Sequence, residues 1–206
     1  MSESEVTQVA DNETDKKKLD EIVRKDAKTG RQMKGLWYYF TSALGILMVF
    51  FYMYAAAVPV DTQYFLGVYV LVTYVMVFLL YPLWSKSPVS RPSLFDIFLA
   101  LVAVFAVGYY IVEYEAINYR MGAETRLDTF VSTVGILISL EVARRVLGWS
   151  LTIVGLVFLL YAFFGDLLHY VPILKAFAHS GFALDRALNH IYQKQEGVFG
   201  IMATVL

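Results

Sequence analysis

Apolar residues fall into long uncharged runs separated by short charged or proline-bearing breaks, and that alternation sets the reading of the chain. Leu36 to Val60 contains no charged residue, and neither does Thr62 to Ser85. Each is long enough to cross the roughly 30 Å core of a bilayer as a helix. Pro59 and Asp61 mark a tight turn between them. Trp37, Tyr38 and Tyr39 at one end of the first run match Tyr81 and Trp84 at the end of the second, where amphipathic rings favour the headgroup level. Pro88 and Pro92 break the helix in the following loop. A third span is expected from about Leu94 to Val112, with Asp96 in its first turn, where a carboxylate suits the positive end of the helix dipole. Glu113 to Asp128 then reads as a charged loop, with Asp128 as the N-cap of the next helix.

The stretch from Asp128 to Gly165 is the unusual one. As a single helix it would exceed about 50 Å, with Glu141, Arg144 and Arg145 stranded near its middle. A hairpin is the economical alternative: span four over about 129–147, span five over about 148–165, and a turn near Arg144 to Gly148 at the membrane surface. The arginine heads would then snorkel to water. Glu141, Arg144 and Arg145 lie at i, i+3 and i+4, close enough to pair on a helix. They fit a satisfied hairpin corner first, with a contact to lipid headgroups or a partner subunit as the alternative.

The polar flanks complete the pattern. Residues 1–13 lack apolar periodicity and read as disordered. Over 14–35, Leu19, Ile22, Val23 and Ala27 recur at helical spacing among Lys16, Lys17, Lys18, Arg24, Lys25 and Lys28, an amphipathic helix suited to an anionic membrane face. Residues 166–206 form the last segment. Leu184, Leu188 and Ile191 predict a short amphipathic helix after Gly181. The closing GVFGIMATVL is too short to span and too apolar for solvent, so it is expected to dock on a partner chain or a continuation.

Composition agrees with a membrane protein: 58% of the 206 residues are hydrophobic, mean hydropathy is +0.57, and 17% are charged against about 25% in soluble domains. The formal net charge of −1 gives no electrostatic footprint for nucleic acid. Cysteine is absent, which removes disulfides, thiol catalysis and thiolate metal sites. Lys and Arg divide unequally. Twelve fall on the side of the N-terminus and five on the other, so the positive-inside rule places the N-terminus in the cytoplasm and the C-terminus outside.

Chemistry at depth is poorly provided for. Residues 36–60, 62–85, 97–112, 129–140 and 146–165 contain no Asp, Glu, Lys, Arg or His, so an ion relay or an acid–base pair inside the spans is not expected. His169, His179 and His190 show no metal-site spacing, and no catalytic residue or cofactor is assigned. Small residues supply the remaining pattern. Gly135, Ser139 and Ala143 recur every four positions on span four, and Gly148, Thr152 and Gly155 fall at i, i+4 and i+7 on span five, stripes that let helices approach each other or a partner.

The ordered strings LWYYFTSALGILMVF, FLLYP, LDTF, LEVARRVLGWSLTIVGLVFLLYAFFG, HSGFALDRALNHIY and EGVFGI resemble the amino-terminal portion of TRAP transporter permeases of the TAXI type, over nearly all of residues 36–206. The resemblance implies an all-α integral membrane protein: a four-helix small subunit over 36–147, then a connector helix over 148–165. It also implies a scaffold role in a tripartite secondary transporter for organic anions, in a bacterial or archaeal cytoplasmic membrane. The implied partners are a large transmembrane transport subunit and a periplasmic solute-binding protein. The chain stops where fused relatives continue, and no binding residue carries over. A non-transport membrane assembly protein is the alternative.

Overall fold

Proline, glycine and capping side chains set the helix limits in the computed structural model. It describes residues 30–200 apart from 32, 85–86, 89, 121, 171–174, 179–180 and 195–196. The amphipathic helix expected over 14–35 and the disordered N-terminus therefore lie outside the described residues, save for the stretch just before the first span. Helix α1 (Leu36–Ala57) stops at Val58, whose extended backbone is what a following proline demands. Helix α2 (Thr62–Leu80) ends just before Tyr81 and Pro82. Helix α3 (Leu94–Tyr119) starts from Ser93, and α4 (Arg126–Leu147) from Thr125. Gly148, at φ 81°, breaks the chain where side chains other than glycine are disfavoured, and α5 (Trp149–Phe164) follows at once. Two short 3₁₀ turns, Gly165–Tyr170 and Lys175–Phe177, lead to α6 (Leu184–Gln193). The described residues contain six α-helices and no strand.

The helices α2, α3 and α4 form the centre, with α1 laid on α2, α5 on α4, and α6 across α4. Small residues allow the close approach: Ala100, Ala103, Ala106 and Val107 of α3 are buried. A side chain at Gly67 would collide with Ile111 of α3. By length and composition α1, α2 and α3 are able to cross a membrane. Their outer faces suit one: on α1 only Thr41 is buried, while Phe50, Met53 and Tyr54 stand exposed. Helix α5 is as apolar but has 16 residues, about 24 Å at about 1.5 Å each. Helix α4 carries charge at both ends.

Three expectations need correction. Helix α3 does not stop near Val112 but runs to Tyr119, so Glu113 and Glu115 ride on helix and the loop shrinks to residues 120–125. Nothing before Gly122 breaks the helix there, and Ile117 continues the buried face of Tyr110 seven positions earlier. Asp128 is not the N-cap of α4. Thr125 is: its hydroxyl accepts from the Asp128 amide at 3.2 Å, and the Asp128 carboxylate accepts from the Thr125 amide at 2.8 Å. Finally, within the described part of the closing apolar stretch, Val198 and Phe199 dock on this chain's own core rather than needing a partner. Phe199 stacks on Tyr110 at 3.7 Å between ring centres and meets Tyr192 edge-on at 5.1 Å.

Candidate functional site: charge clusters at the two ends of the bundle

Two polar clusters sit where the helices end, one at each extremity of the bundle. The first gathers the start of α3, the end of α4 and the segment before α1. Asp96 is the third residue of α3 and closes a capping box with Ser93, whose amide donates to its Oδ2 at 3.1 Å. The same carboxylate is fully buried and accepts from two arginines distant in sequence. Arg145 Nη1 donates to Oδ1 at 2.7 Å, and Arg31 Nη2 donates to Oδ2. Arg31 is buried too and donates to the Leu79 carbonyl at 2.9 Å and the Pro88 carbonyl at 3.1 Å, while its own amide donates to Leu80 O at 2.7 Å. Arg145 further donates to the Tyr81 carbonyl at 2.8 Å and lies over the Phe78 ring, 4.9 Å from its centre. One anion thus holds four pieces of chain: the pre-α1 segment, the end of α2, α3 and α4.

Glu141 extends this cluster outward. It accepts from Arg145 Nε at 2.8 Å and takes both Nε and Nη2 of Arg144 at 2.7 Å each. Arg144 rests over Trp149 at 5.4 Å, so the hairpin corner is braced from both helices. The expected pairing of Glu141, Arg144 and Arg145 is present, and the turn falls at Gly148 as anticipated. The expectation that both arginine heads snorkel is not met. The Arg145 side chain is 0% exposed, because Asp96, Glu141 and the Tyr81 carbonyl offer acceptors nearer than water.

The second cluster lies at the far end. Asp128, 1% exposed, accepts from Arg120 Nε at 3.0 Å and Nη2 at 2.9 Å, from the Tyr109 hydroxyl at 2.6 Å and from the Thr125 hydroxyl at 2.7 Å. Arg120 also reaches Glu113 at 3.5 Å and stays 28% exposed. Burial acts to raise the pKa of Asp128, but these donors outweigh it and hold the carboxyl well below its ordinary value. The hydrogen bond to Asp128 in turn holds Arg120 above its own.

Of the two small-residue stripes, the one on α4 serves the fold's interior. Gly135 is covered by the ring of Tyr192 from α6, and any β-carbon there would overlap that ring. Ser139 accepts from the Tyr74 hydroxyl at 2.7 Å and donates to Gly135 O at 2.8 Å. Ala143 is half-buried. Thr152 is buried and donates to Gly148 O at 3.0 Å, while Gly155 comes close to Leu140 of α4. Gly135 therefore gives close approach to this chain's own α6, whereas Gly155 is exposed. Helix α6 is keyed by polar contacts: Asn189 accepts from Ser132 at 2.7 Å and donates to Thr129 at 3.2 Å, and Gln193 donates to Asp128 O at 3.2 Å.

Spacing along the chain does not group Arg31 and Asp96 with the hairpin charges. A coarser signal does exist, since the order of spans puts Asp96, Arg144, Arg145 and the N-terminal basic segment at the same end of the bundle. In each cluster the carboxylates accept from guanidinium groups, an arrangement that fastens helix ends. Among the described residues no group of three His, Asp or Glu side chains converges as metal ligands. The chain matches no protein-family model, no curated protein and no solved structure.

Proposed function

We propose that this chain is a membrane-embedded scaffold subunit that braces a larger transport subunit. The observation that carries the proposal is the emptiness between the clusters: 97–112 of α3, 129–140 of α4 and all of α1, α2 and α5 carry no ionisable side chain among Asp, Glu, Lys, Arg and His. A path for an organic anion or a coupling ion needs polar or charged groups at depth. This chain spends its buried charges on fastening helix ends, so the path belongs to another polypeptide. The chain's likeness to TAXI-type TRAP permeases supports naming that partner as the large transport subunit, served by a periplasmic solute-binding protein.

In this reading the apolar parts of α4 and α5 are spans four and five, the N-terminus is cytoplasmic, and α6 faces the periplasm. The Asp96 cluster then lies at the cytoplasmic surface and the Asp128 cluster at the outer one. Extraction of native membranes in mild detergent should co-purify this chain with a much larger multi-span protein, identified by mass spectrometry. Elution alone, or with an assembly factor and no transporter, would overturn the proposal. Replacing Arg144 and Arg145 by Glu should impair insertion or assembly. Normal assembly with only ion coupling lost would contradict it as well.

A further inference from the structure

Charge divides unequally between the two ends of the bundle. Among the described residues the Asp96 end carries Arg31, Lys34, Arg91, Arg144 and Arg145 against Asp96 and Glu141, whereas the Asp128 end carries more carboxylates than cations. Three of the five cations are engaged, Arg31 and Arg145 by Asp96 and Arg144 by Glu141. Lys34 and Arg91 are exposed, and neither pairs with a described carboxylate. The segment before α1 brings these two together. Arg31 Nε donates to Pro88 O at 3.1 Å and the Lys34 amide donates to Ser90 O at 3.3 Å. Bond lengths alone then keep the Cα atoms of Lys34 and Arg91 within about 9 Å of each other. All three tryptophans of the chain mark the same end: Trp37 in the first turn of α1, Trp84 after α2 and Trp149 at the start of α5. Trp84 is 71% exposed and Trp149 62%, and exposed indoles at helix ends favour the boundary between lipid and water.

We propose that the Asp96 end is a docking surface for the headgroups of an anionic phospholipid leaflet, with Lys34 and Arg91 as its working cations and the tryptophans at the same depth. The inference rests on the membrane part of the proposed function and not on the scaffold role. Charge complementarity selects the occupant: a surplus of cations at the headgroup level is attracted to anionic lipid, and the carboxylate-rich Asp128 end is not. The hairpin arginines cannot supply this attraction, because Asp96 and Glu141 already hold them. An acidic protein surface would match the two cations, yet it would leave unexplained the exposed tryptophans and the apolar outer face of α1 beside them, which lipid covers. The buried Asp96 clamp thus has a second consequence. By fastening Arg31 between α2 and α3 it sets Lys34 against the loop that carries Arg91.

Because every tryptophan sits at this end, indole fluorescence reports on it alone. The full chain is reconstituted in vesicles of phosphatidylcholine and phosphatidylglycerol, with one lipid or the other brominated high on its acyl chains to quench nearby indoles. At low salt phosphatidylglycerol should associate more than about twofold better, since one cation near such a surface is worth up to about fivefold. That preference should vanish in Lys34→Gln/Arg91→Gln and, for the unaltered chain, in about 0.5 M salt. Arg126→Gln/Arg186→Gln, which removes two exposed cations near the Asp128 end, should leave it intact. Equal quenching by the two lipids in the unaltered chain would overturn the proposal. So would a preference that survives the double substitution or the high salt, or one that falls as far in the Arg126/Arg186 variant. Quenching by neither lipid would remove the membrane reading itself, and this proposal with it.

Discussion

Asp96 and Asp128 hold the same local position, third residue of a helix and acid of a capping box, on consecutive helices at opposite ends of the bundle. Their partners differ completely. Asp128 draws on its neighbourhood, with Arg120 eight residues away and Tyr109 nineteen. Asp96 is held by Arg31 and Arg145, 65 and 49 residues away. One cluster is a local corner with a partly exposed arginine, and the other is a buried clamp that gathers four parts of the chain. The lesson is that a cap specifies where a helix begins, while the second lone pair of the capping acid is free to specify what the helix stands against.

The sharpest way to break this contrast is to neutralise each acid. Asp96→Asn leaves two buried guanidiniums without their shared anion and should cost about 3–5 kcal/mol of stability in detergent. Asp128→Asn, whose arginine can turn to water, should cost about 1–2 kcal/mol. Equal losses in thermal or denaturant melts would dissolve the distinction. Gly135→Leu should come next, at about 1–3 kcal/mol, because the new side chain meets the Tyr192 ring. Its damage should be confined to the Asp128 end, seen as faster proteolysis or exchange of α6 while the Asp96 clamp persists; global unfolding would show that the two ends are not separable.

Acid distinguishes the Asp128 corner more gently. The folded pKa of Asp128 lies below its unfolded value, so its contribution is fully present above about pH 4 and is lost only as pH falls further, through the folded value. Stability measured against pH should carry this acid-limb slope in the native chain and a shallower one in Asp128→Asn. Identical slopes would remove Asp128 from the account. The smallest effect is expected at the hairpin rim. Arg144 is 17% exposed and pairs with Glu141 one turn away, so Arg144→Ala should cost less than about 1 kcal/mol. A loss comparable to that of Asp96→Asn would mean the rim carries the clamp.

Much of this architecture is legible in the order of residues alone. The apolar runs begin where α1 and α2 begin, though they outlast both helices at the C-terminal end, and the i, i+3, i+4 spacing of Glu141, Arg144 and Arg145 marks a pairing that forms within one helix. Leu188 and Ile191 mark α6. What escapes is of one kind. The extension of α3 to Tyr119 depends on the burial of Ile117, the choice of Thr125 over Asp128 as cap depends on a reciprocal pair of hydrogen bonds, and the docking of Phe199 depends on Tyr110.

By itself, then, the sequence determined the helical class, the apolar faces suited to a membrane, the Gly148 hairpin and the charges available at each end, because these follow from periodicity, glycine conformation and short-range spacing. Only the tertiary structure decided that Asp96 takes Arg31 and Arg145, and that the chain after α5 folds back onto α4. Both depend on which helix ends arrive side by side, a matter of packing between segments 49 to 65 residues apart that no local pattern encodes.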